Sequence, residues 1–195
     1  MEEHLEGVPN RVGNLHAVLR ELEMESDRGV AILGVSMLDQ RLLELLHHLF
    51  VPCSQTKQLL SGPISSFANR LNLAMATGLI AADEYAECNR LRAIRNDFAH
   101  KFELDFSFSN EQVKKRCEKL EMFYEPDGEE ELPDDNPEAE EQFESEITPR
   151  ELFIKSVAEV YVCWLIREFH TQHRRMKRSG MDDANEYLKS QAQKQ

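Results

Sequence analysis

Apolar residues recur at helical spacing along most of the chain. From Gly29 to Phe50 they fall at Val30, Leu33, Met37, Leu42, Leu45, Leu46 and Leu49, with Asp39, Gln40, Arg41 and Glu44 between them. This pattern predicts a long amphipathic helix that Pro52 ends. Gly29, Ala31, Gly34 and Ser36 in its first half leave room for another backbone to approach closely. A weaker stripe of Leu15, Val18, Leu19 and Leu22 precedes it. Beyond a loop marked by Gly62-Pro63, helical spacing returns in Phe67, Leu71 and Ala74-Met75 and stops near Gly78, which is placed to act as a left-handed cap.

The next predicted helix runs from about Ala82 to His100, with Tyr85, Cys88, Leu91, Ile94-Arg95 and Phe98 on its inner side. Asp83 and Glu84 stand in its first turn, where the helix dipole favours them. Lys101 to Phe108 alternates like a strand but has no second strand to pair with, so an extended connection is expected. Ser109 or Asn110 then caps a helix to about Phe123, with Val113, Cys117 and Leu120 facing in. Thr148-Pro149-Arg150-Glu151 reads as a fresh helix start: a Thr cap, Pro at the first helical position, and Glu three residues after the cap. Leu152, Ile154, Val157, Val160-Tyr161 and Trp164-Leu165 make the helix that follows the most apolar of the chain, suited to pack on the Gly29–Phe50 helix.

Charge changes the picture between these helices. Of the net charge of −13, twelve acidic residues fall between Glu125 and Glu146 with no Lys or Arg among them, so the rest of the chain is close to neutral. That stretch, with Pro126, Gly128, Pro133 and Pro137, lacks the apolar content to fold and reads as a solvated linker. The expected organisation is a main helical bundle over 1–124, an acidic disordered linker over 125–147, a C-terminal helix over 148–179 packing back on the bundle, and a polar tail over 180–195. The fold class is all-α, an up-and-down bundle of about five to six helices.

The cysteines, Cys53, Cys88, Cys117 and Cys163, form no CxxC-type pair, so reduced thiols are expected and neither a zinc framework nor a disulfide scaffold is implied. Met1-Glu2-Glu3-His4 lacks a basic and apolar leader pattern, and the longest apolar run, Val160 to Ile166, is too short to span a bilayer. A soluble cytoplasmic protein is the expectation. No cofactor motif occurs, and the adjacent His47-His48 point to different faces and do not suggest a shared metal.

The residues with chemical promise lie in Leu91 to His100. Arg92, Asn96 and His100 are four apart and share one helix row, while Arg95 lies on the neighbouring row with Leu91 and Phe98. A guanidinium can hold a phosphate through two bonds, and an imidazole can give or take a proton at a ribose hydroxyl or leaving oxygen. The competing expectation is structural, with Arg95 paired to an acid of the bundle and Asn96 and His100 merely ending the helix. A basic cluster from His173 to Arg178 offers Arg174, Arg175, Lys177 and Arg178 as a local patch for RNA or DNA, although cations also suit a helix C-terminus. Helix, Gly78 turn and helix resemble a helix-turn-helix in outline, but Ala82-Asp83-Glu84 opens the would-be recognition helix with charge that DNA repels.

Leu59-Leu60-Ser61-Gly62-Pro63, Phe67-Ala68-Asn69-Arg70-Leu71-Asn72-Leu73, Gly78-Leu79-Ile80 with Glu84-Tyr85, and Leu91 to His100 together resemble the mannitol operon repressor family over about Gly29 to Leu120. The long acidic stretch departs from that family's compact pattern. The resemblance implies an all-helical transcriptional regulator that acts through a protein partner and not by direct base readout. Arg95-Asn96-Asp97-Phe98-Ala99-His100 also resembles the signature of the HEPN superfamily, whose helical bundles often dimerise to form a composite ribonuclease site. That likeness implies phosphate contact by Arg95, orientation by Asn96 and proton transfer by His100, in a homodimer. Three functions therefore stand open: a regulator working through a protein partner, a metal-independent endoribonuclease, and an antitoxin-like or scaffold binding module.

Overall fold

The computed structural model describes residues 19–101, 103, 105–121 and 147–179, the side chains of 169, 170 and 172–179 excepted. The fold is an all-α helical bundle, and no strand occurs among the described residues. After a helical stretch over 19–24, the helices are α1 (Asp27–Leu49), α2 (Ser54–Ser61), α3 (Phe67–Ala76), α4 (Ala82–His100), α5 (Glu111–Cys117) and α6 (Pro149–Ser179). None of them is long and apolar enough to cross a membrane. The acidic stretch 125–146 and the tail 180–195 lie outside the described residues.

Most helix ends follow from local chemistry. The Ser66 hydroxyl accepts the Asn69 N–H at the start of α3, and the Asn110 side chain accepts the Gln112 N–H at the start of α5. At α6 the Thr148 N–H donates to Glu151 Oε2 at 2.7 Å and the Glu151 N–H returns a bond to Thr148 Oγ1 at 3.2 Å, the reciprocal capping box expected there. Gly78, at φ 66°, ends the chain's turn after α3: its N–H reaches Met75 O, and the Leu79 N–H reaches back to Ala74 O at 2.8 Å.

Two elements differ from expectation. Ser54–Ser61 is helical where the sequence pattern predicts no element, because one buried residue, Leu60, is too little to set a visible period. α5 stops at Cys117, short of Phe123. The Glu121 N–H turns away from the helix ladder to donate to Glu87 Oε2 at 3.1 Å, and Leu120 N–H closes on Cys117 O in a tightened last turn.

The chain forms two compact units, to each of which α1, α4 and α6 contribute residues. In the unit of residues up to Val35 and 86–159, Phe98 packs on Phe106 and Phe108 with ring centroids 4.9 and 4.8 Å away, and Phe108 meets Phe153 at 5.4 Å. α1 and α6 come close at Gly34, where an added Cβ would stand 3.2 Å from Phe153 and 3.3 Å from Val157. The small residue thus does what the sequence suggests for it. Glu87, fully buried, is satisfied from three sides: Ser156 Oγ donates at 2.6 Å, Arg90 at 2.9 Å, and the Glu121 backbone completes the set.

In the unit of residues 36–85 and from Val160 onward, Leu38, Leu42, Leu45, Leu46, Leu71 and Trp164 form the buried centre. Buried Glu168 lies 2.7 Å from the Arg41 guanidinium and 2.9 Å from His48 Nε2, and Arg41 also covers the Tyr161 ring at 5.2 Å. Arg70 pairs with Asp39 and caps the Ile64 carbonyl.

Candidate functional site

α4 is held firmly toward its C-terminal end. Leu91, Ile94 and Phe98 are completely buried, which fixes the rotation of the helix about its axis. Its C-terminal carbonyls are capped from α1: the Arg28 guanidinium donates to Phe98 O and, at 2.7 Å, to Lys101 O. On the α5 side, Arg116 pairs with Asp97 at 2.8 Å, and Arg90 bridges Glu87 and Glu121. Between residues 89 and 100 the other polar residues are Asn89, Arg92, Arg95, Asn96 and His100.

Between residues 86 and 99 every residue of α4 is buried or half-buried, whereas His100 is exposed. Arg95 Nη1 donates to Asn96 Oδ1 at 3.1 Å, and its Nε is buried without a hydrogen-bond partner. Arg92 Nη1 donates in the same manner to Asn89 Oδ1 at 2.8 Å. Neither arginine meets a carboxylate among the described residues. Arg41, Arg70, Arg90, Arg116, Arg150 and Arg167, by contrast, all do. Among the described residues the partner of Arg95 is thus an amide and not the expected acid. An amide oxygen orients a guanidinium without cancelling its charge, so among the described residues α4 presents two cations one turn apart without an acidic partner, and an exposed imidazole five residues beyond Arg95.

The side chains of Arg174, Arg175, Lys177 and Arg178 lie outside the described residues. His48 turns to Glu168, and His47 is held below the usual histidine range by partial burial and by the neighbouring charges of His48, Arg70 and Lys57. No cluster of three metal-ligating side chains occurs among the described residues. The thiols differ in character: burial pushes Cys117 up to about 12, while hydrogen bonding to Thr56 holds exposed Cys53 below its ordinary value.

A cleft of about 650 Å³ opens beside the cap of α4, lined by Ser26, Asp27, Arg28, Glu103, Asp105, Phe106 and Ser107. Its three carboxylates repel phosphate, and none of the α4 residues lines it. At the opposite end of α4, Glu84 is buried, accepts the Ala81 N–H at 2.6 Å and pairs with Arg167. The helix start is thus closed by its own carboxylate.

Sequence reading names Arg95, Asn96 and His100 but passes over Asn89, Arg28 and Glu87. Glu87 carries a legible signal, an acid on the helical stripe of Leu91, Ile94 and Phe98. Arg28 carries none, because its partners are backbone carbonyls far along the chain. No family model matches this chain, and no match was found among curated proteins or solved structures.

Proposed function

We propose that the chain is an RNA-handling protein whose α4 site cleaves phosphodiesters without a metal, in the manner of the HEPN superfamily. The observation that carries this reading is the state of Arg95: oriented by Asn96, without a carboxylate partner among the described residues, and on the same helix end as exposed His100. Arg95 holds a phosphate oxygen, and His100 accepts the proton of the ribose 2′-hydroxyl. The 2′-oxygen then attacks phosphorus, the bond to the 5′-oxygen breaks, and a second proton carrier protonates the leaving oxygen. A second copy of the chain supplies that carrier, its own His100. Incubation with single-stranded RNA produces 2′,3′-cyclic phosphate and 5′-hydroxyl ends, and both His100→Ala and Arg95→Ala abolish them. Unchanged cleavage in both variants contradicts the reading.

A second reading is favoured by the closed start of α4. A regulator of the mannitol operon repressor type that works through a protein partner needs no base-reading helix, and Glu84 blocks the end of the one helix placed to be such an element. Tight binding of the purified chain alone to one operator duplex at physiological salt contradicts it.

A further inference from the structure

We infer that Arg92, oriented by Asn89, is a phosphate-contacting residue that extends the α4 site by one turn and takes the phosphodiester next to the one at Arg95. The inference rests on the RNA reading of Arg95 and His100. Its own observation is the repeated arrangement on α4: each of two half-buried arginines is held by an asparagine oxygen, Arg92 by Asn89 at 2.8 Å and Arg95 by Asn96 at 3.1 Å.

Placing two cations on adjacent turns, about 5–6 Å apart at Cβ, costs free energy through repulsion unless an anion lies against them. A carboxylate relieves that repulsion for the other paired arginines of the fold, Arg90 on this same helix included. At Arg92 and Arg95 no described residue supplies that carboxylate, and the phosphates of an RNA strand would supply the anion. A strand with a phosphate at every nucleotide can satisfy both. Arg92 shares its row with Asn96 and His100, so a strand following that row passes the proton-transfer group.

The experiment is anisotropy of a labelled 2′-O-methyl RNA of about twelve nucleotides, which binds without being cut, titrated with the full chain across a salt series. Arg92→Gln is expected to weaken binding about tenfold and to lower the slope of log affinity against log salt by about 0.7, the value of one single-strand phosphate contact. Arg92→Lys restores the slope and recovers only part of the affinity, since the fork is lost while the charge remains. Arg20→Gln, an exposed arginine outside the site, leaves the slope unchanged.

A slope lowered by Arg95→Ala but untouched by Arg92→Gln overturns the inference and leaves the RNA reading standing. A wild-type chain that does not bind the probe overturns both. An equal loss in Arg20→Gln, or tighter binding of duplex DNA or a phosphopeptide than of RNA, also overturns the assignment.

Discussion

Buried and exposed charges on α4 carry different consequences when they are removed. Glu87 has no exposure and three partners, so Glu87→Ala leaves the Arg90 cation, the Ser156 hydroxyl and the Glu121 N–H without their acceptor. A loss of about 3–5 kcal/mol is expected, read as a lowered urea midpoint, with Glu87→Gln intermediate. A midpoint unchanged by Glu87→Ala contradicts the assigned role. His100 is the opposite case. It is exposed, so His100→Ala should stay within about 0.5 kcal/mol of the parent in the same titration while RNA cleavage disappears. That separation distinguishes chemistry from folding. At this scale the sequence tells which residue types are present but not what they touch: whether Arg95 meets an acid or an amide depends on the packing of α4, which no local spacing encodes.

Element ends and close approaches are more legible. The capping box at Thr148 and Glu151 is readable because its partners are three residues apart, and Gly78 because only a left-handed turn calls for glycine there. The backbone and side-chain bonds from Thr148 hold the Glu151 carboxyl below its ordinary value. With the folded value depressed, its contribution is fully present above the unfolded carboxylate range and is lost as pH falls through the folded value. The stability difference between the parent and Glu151→Gln should therefore shrink on acidification from neutral pH to about pH 3. A difference that grows on acidification contradicts the cap. Thr148→Ala should cost about 1 kcal/mol in thermal unfolding at neutral pH. Gly34 tests the approach of α1 to α6: Gly34→Leu must displace Phe153 and Val157, with an expected loss of about 1–3 kcal/mol. The helix at Ser54–Ser61 and the early end of α5 escape sequence reading for a shared reason. Each is decided by a few long-range contacts, Leu60 in the core and Glu121 at Glu87, and not by a repeating pattern.

Across the whole molecule, helical periodicity makes the all-α class legible, since it recurs along nearly every apolar segment. The division into two compact units is not legible, because α1, α4 and α6 keep one unbroken period through Val35, Ala86 and Val160. Net charge is a poor guide to partners here. The acidic run between Glu125 and Glu146 dominates the sum, whereas association with a polyanion depends on the local field at Arg92 and Arg95. Cleavage should accordingly weaken as salt rises, through binding and not through the chemical step. The most direct measurement is mass analysis of the ends formed when the full chain is incubated with single-stranded RNA, beside His100→Ala and Arg95→Ala. Cyclic 2′,3′-phosphate ends from the parent and none from either folded variant are the predicted result; intact RNA with the parent, or equal cleavage by all three proteins, would contradict a catalytic site on α4.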